Sequence, residues 1–236
     1  MQLLILLLAA LAPVVILLWY INNKDKQHPE PTKWLWKAFG YGIASVLLTF
    51  VILFPIEAIF ETEAETEEYA SIFDAFANAF LSAAIPEELA KFIMLWLLLR
   101  KNPFFDEKFD GIVYAACVGL GFAGLENIMY LAEGLEDGSW VSTGISRALF
   151  SVPGHFLFAV LMGYYYSLYH FGIDRSSKTK AMIIVAPILA HGIYDGILFS
   201  MGIDEGIAVV GMFLFLYFFN KLRKKGKERI EKLMEN

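Results

Sequence analysis

Apolar runs long enough to cross a bilayer constrain the fold of this chain more than any other feature. Seven of them follow one another with short connections, over residues 2–21, 34–60, 71–99, 109–132, 144–170, 180–201 and 206–220. A helix of about 20 apolar residues spans the hydrocarbon core of a membrane. The mean hydropathy of +0.55 also exceeds that of an ordinary globular domain. The sequence therefore predicts an all-α fold, a polytopic transmembrane helical bundle with about seven spans.

Apart from Lys91 and Arg147, basic residues are confined to alternate connections of this predicted bundle and to the C-terminal tail. They follow runs one, three and five as Lys24, Lys26, Lys33, Lys37, Arg100, Lys101, Lys108, Arg175, Lys178 and Lys180, and seven more lie in the tail KLRKKGKERIEK. The connections after runs two, four and six instead contain the acidic segments ETEAETEE, EGLED and IDE. Cytoplasmic loops are enriched in Lys and Arg, so we expect the N-terminus outside and the C-terminus in the cytoplasm.

The chain shows no linker that would divide it into separate folding units. We assign residues 1–220 to a single membrane domain with residues 71–201 as its motif core, and residues 221–236 to a basic cytoplasmic tail. The first run has no basic leader and is followed by lysines, which favours a retained anchor helix over a cleaved signal. The net charge of −6 reflects one acidic and one basic face and does not indicate nucleic-acid binding.

Several ionisable residues interrupt the apolar runs. A charged side chain at the centre of a spanning helix costs about 2.5–3.5 kcal/mol, so it usually has a function or a partner. The candidates are Glu87, Glu88, Lys91, Glu126, His155, His191 and Asp195. At about 1.5 Å of rise per residue, most of them lie at similar depths between the midplane and the outer leaflet. We therefore expect one polar site formed by four helices.

The spacing of these residues leaves a structural role open for some of them. Glu87 and Lys91 are four residues apart, which suits an ion pair on one helix face, but this pair leaves Glu88 unexplained. His191 and Asp195 have the same spacing and project from one face. Prolines 86, 153 and 187 precede polar residues in three of the runs, which favours kinked helices around a hydrated cavity. Ala115, Gly119 and Ala123 form a stripe of small residues that favours close helix packing.

The order of these motifs resembles one known family. Glu87-Glu88-x-x-Lys91, then Phe122-x-x-x-Glu126, then an isolated His155, then His191-x-x-x-Asp195 lie on four successive runs. This pattern is similar to that of the PrsW family of bacterial intramembrane proteases. The related CAAX prenyl endopeptidases and bacteriocin-processing Abi proteins end the second motif in His and the last in Asn. The Glu and Asp found here favour the PrsW branch.

The resemblance implies hydrolysis of a peptide bond within a bacterial or archaeal cell membrane. It suggests a single-span membrane protein such as an anti-sigma factor as the substrate. Glu87 or Glu88 would act as the general base, while Lys91 keeps the other carboxylate ionised. We expect no organic cofactor.

A zinc-dependent and a metal-free mechanism both remain open at the level of sequence. His155, His191 and Glu126 would form a His₂Glu zinc set with an open position for water, with Asp195 as a fourth ligand or as a residue that orients a ligand. In a metal-free glutamate protease, the histidines would orient water and stabilise the oxyanion. We favour zinc, because carboxylates at positions 126 and 195 are better ligands than oxyanion donors.

Two other classes of membrane protein also place ionisable residues in spans. A proton- or ion-coupled transporter would do so, but the sequence shows no paired half-chain repeat. A haem protein could use His155 and His191 as axial ligands, which would leave the three glutamates without a role. A protease explains more of the ionisable residues than either alternative.

Overall fold

The computed structural model describes residues 2–60 and 69–234 of the chain. Within these ranges the backbone forms helices and no strand: α1 Gln2–Lys24, α2 Thr32–Phe60, α3 Ile72–Asn78, α4 Ile85–Leu99, α5 Asp110–Asp137, α6 Trp140–Ser146, α7 Val152–His170, α8 Ser177–Ser200 and α9 Glu205–Met234. Two π-helical segments, Ala79–Ala84 and Arg147–Ser151, join α3 to α4 and α6 to α7. The predicted helical bundle is confirmed. The acidic segment ETEAETEE falls outside the described residues.

Six helical stretches are long and apolar enough to cross a membrane: Leu4–Lys24, Thr32–Phe60, Asp110–Glu136, Trp140–His170, Ser177–Ser200 and Glu205–Met234. The third predicted run is also helical from residue 72 to residue 99. It is absent from the six because every 18-residue stretch of it holds at least three charged residues. The segment that departs from an ordinary span is therefore the one that carries Glu87, Glu88 and Lys91.

Each π-helical segment ends just before a helix that has proline in its first turn. Pro86 is the second residue of α4 and Pro153 is the second residue of α7. Because proline lacks an N–H and crowds the preceding turn, an uninterrupted α-helix is strained there. The backbone instead makes a wider turn, in which the N–H of Ile85 donates to the carbonyl oxygen of Phe80. These turns lie directly upstream of Glu87 and His155, so they help set the directions of both side chains.

Helix α5 lies at the centre of the bundle, against α1, α2 and α7. Its closest approach to α2 requires glycine on both helices: a Cβ at Gly42 would overlap the carbonyl oxygen of Val118, and one at Gly121 would overlap the α2 backbone. On the side of α7, a Cβ at Gly119 would lie 2.6 Å from the Cβ of Ala159. The close packing predicted from the small residues of α5 is confirmed.

Large apolar side chains cover the outer surface of the bundle. Phe54 of α2 is 74% exposed, and Val15, Leu47, Phe213 and Tyr217 are also largely exposed on α1, α2 and α9. An apolar surface of this extent is unfavourable in water but suits contact with lipid chains. The arrangement agrees with a multi-pass membrane protein.

The basic C-terminal segment continues α9 without a break. Leu222, Ile230 and Leu233 are buried in the same core as residues of α5 and α7. The guanidinium of Arg229 lies 4.7 Å from the ring centroid of Tyr164 on α7. The residues assigned to a tail therefore pack against the bundle while their charged groups remain on the basic side.

Candidate active site

The first turn of α4 carries the two carboxylates singled out by sequence. Glu88 is fully buried and Glu87 is 9% exposed. Lys91 lies one turn further on, and its Nζ donates to Oε2 of Glu87 at 3.0 Å and to Oε1 of Glu88 at 2.9 Å. The ammonium thus joins both carboxylates, so the simple Glu87–Lys91 ion pair is only part of the arrangement.

His155 of α7 links this group to α5. Its Nδ1 lies 3.1 Å from Nζ of Lys91, and its Nε2 lies 2.8 Å from Oε2 of Glu126. The imidazole is 5% exposed. His155 therefore bridges the α4 charges and the glutamate of the second motif.

His191 of α8 makes an equivalent pair of contacts. Its Nδ1 lies 3.0 Å from Oε1 of Glu88, and its Nε2 lies 2.9 Å from Oδ2 of Asp195. The His191–Asp195 contact on one helix face agrees with the i, i+4 spacing. Both histidines thus turn Nδ1 towards the α4 group and Nε2 towards a second carboxylate, a pairing that fixes the orientation of an imidazole.

Two side chains that sequence analysis did not include complete the charged network. Nη2 of Arg147 lies 2.5 Å from Oε2 of Glu126, and its Nε donates to Oδ1 of Asn127 at 2.8 Å. Nδ2 of Asn127 in turn donates to the carbonyl oxygen of Ala10 at 2.8 Å. A signal was present in the sequence, since Arg147 is the one basic residue within an apolar run on the acidic side. Its side chain is only 11% exposed.

Aromatic rings close the site on its apolar sides. The ring of Phe158 stacks on His191 with a centroid distance of 4.7 Å. The Phe122 ring lies under the ammonium of Lys91, 3.8 Å from ring centroid to Nζ. Phe80 and Phe76 pack against Gly192 and Gly196 of α8, where a Cβ would overlap each ring. These contacts limit the water that reaches the charged groups and strengthen the electrostatic interactions among them.

One group of described residues at this site could hold a metal ion. Glu87, Glu88, His155 and His191 each offer one ligand atom, and these atoms lie within 4.8 Å of one another. Oε2 of Glu88 is buried and accepts no hydrogen bond from the described part of the chain. The metal set expected from sequence differed, because it contained Glu126 with the two histidines. Glu126 instead contacts Arg147 and Nε2 of His155.

Comparison with known proteins identifies related sequences. A family model described as PrsW family intramembrane metalloprotease matches residues 30–220. This chain belongs to the PrsW family. It is therefore an enzyme, an intramembrane protease, and the resemblance of its motifs is confirmed. No solved structure matches the chain.

Curated relatives named Protease PrsW cover most of this chain. That of Geobacillus kaustophilus is 37% identical over 220 residues, which are 93% of this chain and 90% of the relative. That of Bacillus subtilis is 35% identical over 96% of this chain and 97% of the relative. That of Clostridioides difficile is 31% identical over 98% and 92% of the two chains. The relatives support a multi-pass bacterial membrane protein and give no support to the archaeal alternative.

Proposed function

We propose that this PrsW-family protein hydrolyses a peptide bond in or next to the spanning helix of a single-span membrane protein, such as an anti-sigma factor. The observation that carries the proposal is the convergence of Glu87, Glu88, His155 and His191 from three helices, with ligand atoms within 4.8 Å. Acid–base groups gathered among apolar rings suit the activation of water. The substrate class follows from the resemblance.

Glu87 is the better candidate for the general base. Its side chain is 12% exposed, whereas that of Glu88 is fully buried and contacts both Lys91 and His191. Water can therefore reach Glu87 more easily. In the proposed reaction, Glu87 takes a proton from water as the water oxygen bonds to the scissile carbonyl carbon. It then returns a proton to the departing amine as the C–N bond breaks.

The other charged residues would hold this machinery in position. Lys91 holds Glu87 and Glu88 in place and offsets their negative charge, since one ammonium contacts both carboxylates. Glu126 and Asp195 fix the orientations of His155 and His191 through Nε2. We therefore assign Glu126 and Asp195 as residues that orient the histidines, in place of the metal-ligand role considered for them from sequence.

The residues fit a zinc ion by donor type. Two imidazoles and two carboxylates form a set that zinc accepts in proteases, and Oε2 of Glu88 is a buried acceptor without a hydrogen bond from the described residues. His155, His191 and Glu88 would hold the metal, and Glu87 would remain as the base. When bound, zinc would polarise the scissile carbonyl and acidify water. The Lys91 ammonium and the metal would compete for the same lone pairs of Glu88 and His155.

Cleavage of a co-expressed single-span anti-sigma factor tests the proposal. Glu87→Gln should abolish the product while the variant accumulates normally, because an amide keeps the shape but cannot accept a proton from water. Glu57→Gln is the matched control, since it removes a carboxylate from α2 that lies outside the site. Near-normal cleavage by Glu87→Gln would contradict the assignment of the base.

The metal content of the purified protein separates the two mechanisms. Wild type should contain about one zinc ion per chain, and His191→Ala should lose it because it removes one imidazole ligand. Glu87→Gln should keep the metal if Glu87 acts only as the base. An active wild-type protein that contains no metal and still needs Glu87 would establish the metal-free glutamate mechanism instead.

A further inference from the structure

A second group of carboxylates lies on the basic side of the bundle. Glu30, Asp106 and Asp110 each offer an oxygen, and these oxygens lie within 4.8 Å of one another. Asp110 begins α5, whereas Glu126 lies about 24 Å further along the same helix at 1.5 Å of rise per residue. The group is therefore separate from the active site, and the protease mechanism does not use it.

Asp110 contains a buried oxygen that lacks a partner. Its side chain is fully buried, and Oδ2 accepts the backbone N–H groups of Asp106 at 3.1 Å and Glu107 at 2.7 Å. Oδ1 is buried and has no hydrogen-bond donor among residues 2–60 and 69–234. A buried carboxylate oxygen without a partner is unfavourable, and a bound cation would satisfy it.

Glu30 is held in place from both sides. The Tyr114 hydroxyl of α5 donates a hydrogen bond to Oε2 of Glu30. The backbone N–H of Glu30 donates to Oδ2 of Asp25 at 3.3 Å. These contacts fix the connection between α1 and α2 beside the start of α5, so the three carboxylates are arranged before any ligand binds.

A cavity of about 490 Å³ opens beside this group, and its wall contains Asp106 with the acidic residues Asp25 and Glu107 and the basic residues Lys24, His28 and Lys108. It gives a hydrated ion a route to Asp106. Burial, together with the neighbouring carboxylates of Asp110 and Asp25, raises the pKa of Glu30 to about 8. Burial likewise raises the pKa of Asp25 to about 7.

We propose that Glu30, Asp106 and Asp110 bind one hard divalent cation of the Mg²⁺ or Ca²⁺ class. All three ligands are carboxylate oxygens, which these cations prefer, whereas zinc prefers the imidazoles of the active site. The ion joins the α1–α2 connection, which contains Glu30, to the α4–α5 connection, which contains Asp106. It thereby stabilises the basic-side ends of the helices that surround α5.

Calorimetric titration of the full-length protein in detergent with Ca²⁺, and separately with Mg²⁺, tests this proposal. Wild type should bind one ion at this site, and the thermal midpoint should rise with ion concentration because only the folded state has the site. Asp106→Asn should weaken binding about tenfold or more, since ligand charge sets the affinity of such sites. Asp106 is exposed, so this variant should fold. Asp110→Asn, whose amide oxygen can still accept the two backbone N–H groups, should have the same effect.

Two control variants make the result specific. Glu107→Gln removes the same charge from the adjacent position and should change the affinity by no more than about threefold, since Glu107 contributes charge but no ligand. His191→Ala should keep the Ca²⁺ or Mg²⁺ site. Absence of binding to wild type would overturn the proposal. Equal losses in Asp106→Asn and Glu107→Gln would overturn it as well, as would loss of binding in His191→Ala.

Discussion

Nη2 of Arg147 lies 2.5 Å from Oε2 of Glu126, although the two residues are 21 positions apart. The same carboxylate oxygen lies 2.8 Å from Nε2 of His155. Arg147 therefore contacts the carboxylate that holds His155 of the candidate active site. Arg147 is the first residue of the π-helical segment that leads into α7. The backbone turn that precedes His155 therefore also carries Arg147, the second charged partner of Glu126.

Arg147 should act as a positioning residue for His155. Arg147→Ala should lower kcat by about 10–100-fold, the usual effect of losing a partner that orients a ligand, with little change in KM. Arg147→Lys should recover part of the rate, because it keeps the charge but loses the bond to Asn127. Kinetics with a purified substrate distinguish these outcomes. Unchanged turnover in Arg147→Ala would show that Glu126 orients His155 without the arginine.

Lys91 should influence metal affinity and stability in opposite directions. Its ammonium contacts Glu87, Glu88 and His155, which are three of the four residues that could hold a metal. Lys91→Met should destabilise the metal-free protein by about 3–5 kcal/mol, because it leaves buried carboxylates without their cation. Zinc should restore this loss and bind more tightly than to wild type.

Thermal unfolding with and without zinc measures both effects of Lys91→Met. The zinc-induced rise in Tm should be larger in this variant than in wild type, and absent in Lys91→Met combined with His191→Ala. If zinc stabilises wild type and Lys91→Met equally, the ammonium and the metal do not compete.

Two glycines of α2 should respond differently to the same substitution. A Cβ at Gly42 would overlap the carbonyl oxygen of Val118, while a Cβ at Gly40 would meet nothing within 4 Å. Gly42→Ala should destabilise the protein by about 1–3 kcal/mol by forcing α2 away from α5. Gly40→Ala should be neutral or stabilising by up to about 1 kcal/mol, since alanine favours the helix. Equal Tm values would contradict the observed closeness of the two helices.

The sequence singled out most residues of the candidate site because charged residues are costly in a membrane. Glu87, Glu88, Lys91 and His191 were identifiable as ionisable groups within apolar runs, and the His191–Asp195 spacing on one helix predicted their contact. Such inferences depend on local sequence and on the energetics of burial. They needed no knowledge of how the helices pack.

The features that sequence analysis missed depend on tertiary structure. The contact between Arg147 and Glu126 arises from the packing of α6 and the following π-helical segment near α5, which no local spacing encodes. The prolines predicted kinks at residues 86 and 153, but not π turns upstream of them. The choice between Glu126 and the α4 glutamates as possible metal ligands also depends on tertiary structure. Nε2 of His155 faces Glu126 while Nδ1 faces Lys91, and the orientation of a ring is fixed only by its neighbours.

The orientation of the bundle remains a prediction from charge. A reporter fused within the ETEAETEE segment should lie outside the membrane. Reporters fused after Lys101 or after Lys232 should lie in the cytoplasm, because basic loops are retained inside. The fusions after Lys101 and after Lys232 also serve as controls for each other, since both residues belong to the basic side. A cytoplasmic ETEAETEE segment would reverse the orientation and place the active site in the inner leaflet.

The depth of the active site predicts where the substrate is cut. Glu87 lies about 18 Å from the basic-side end of α4, at 1.5 Å of rise per residue. By the same measure, His155 and His191 lie about 20 Å from the basic-side ends of α7 and α8. These depths lie beyond the midpoint of a hydrocarbon core about 30 Å thick. The candidate catalytic groups therefore lie near the middle of the membrane, and His191 and Glu126 are closer to the acidic-side ends of α8 and α5, which we expect to face outwards.

We accordingly expect cleavage near the extracytoplasmic end of the substrate's spanning helix or just beyond it. A peptide bond inside a regular helix is protected, because its carbonyl oxygen is hydrogen-bonded and packed within the turn. The cut should thus fall where the substrate helix ends or is broken by glycine or proline, and moving such a residue by one turn should move the cut with it. Mass spectrometry of the product termini locates the bond. A cut at the cytoplasmic end would contradict the proposed depth and exclude Glu126 and Asp195 from the active site.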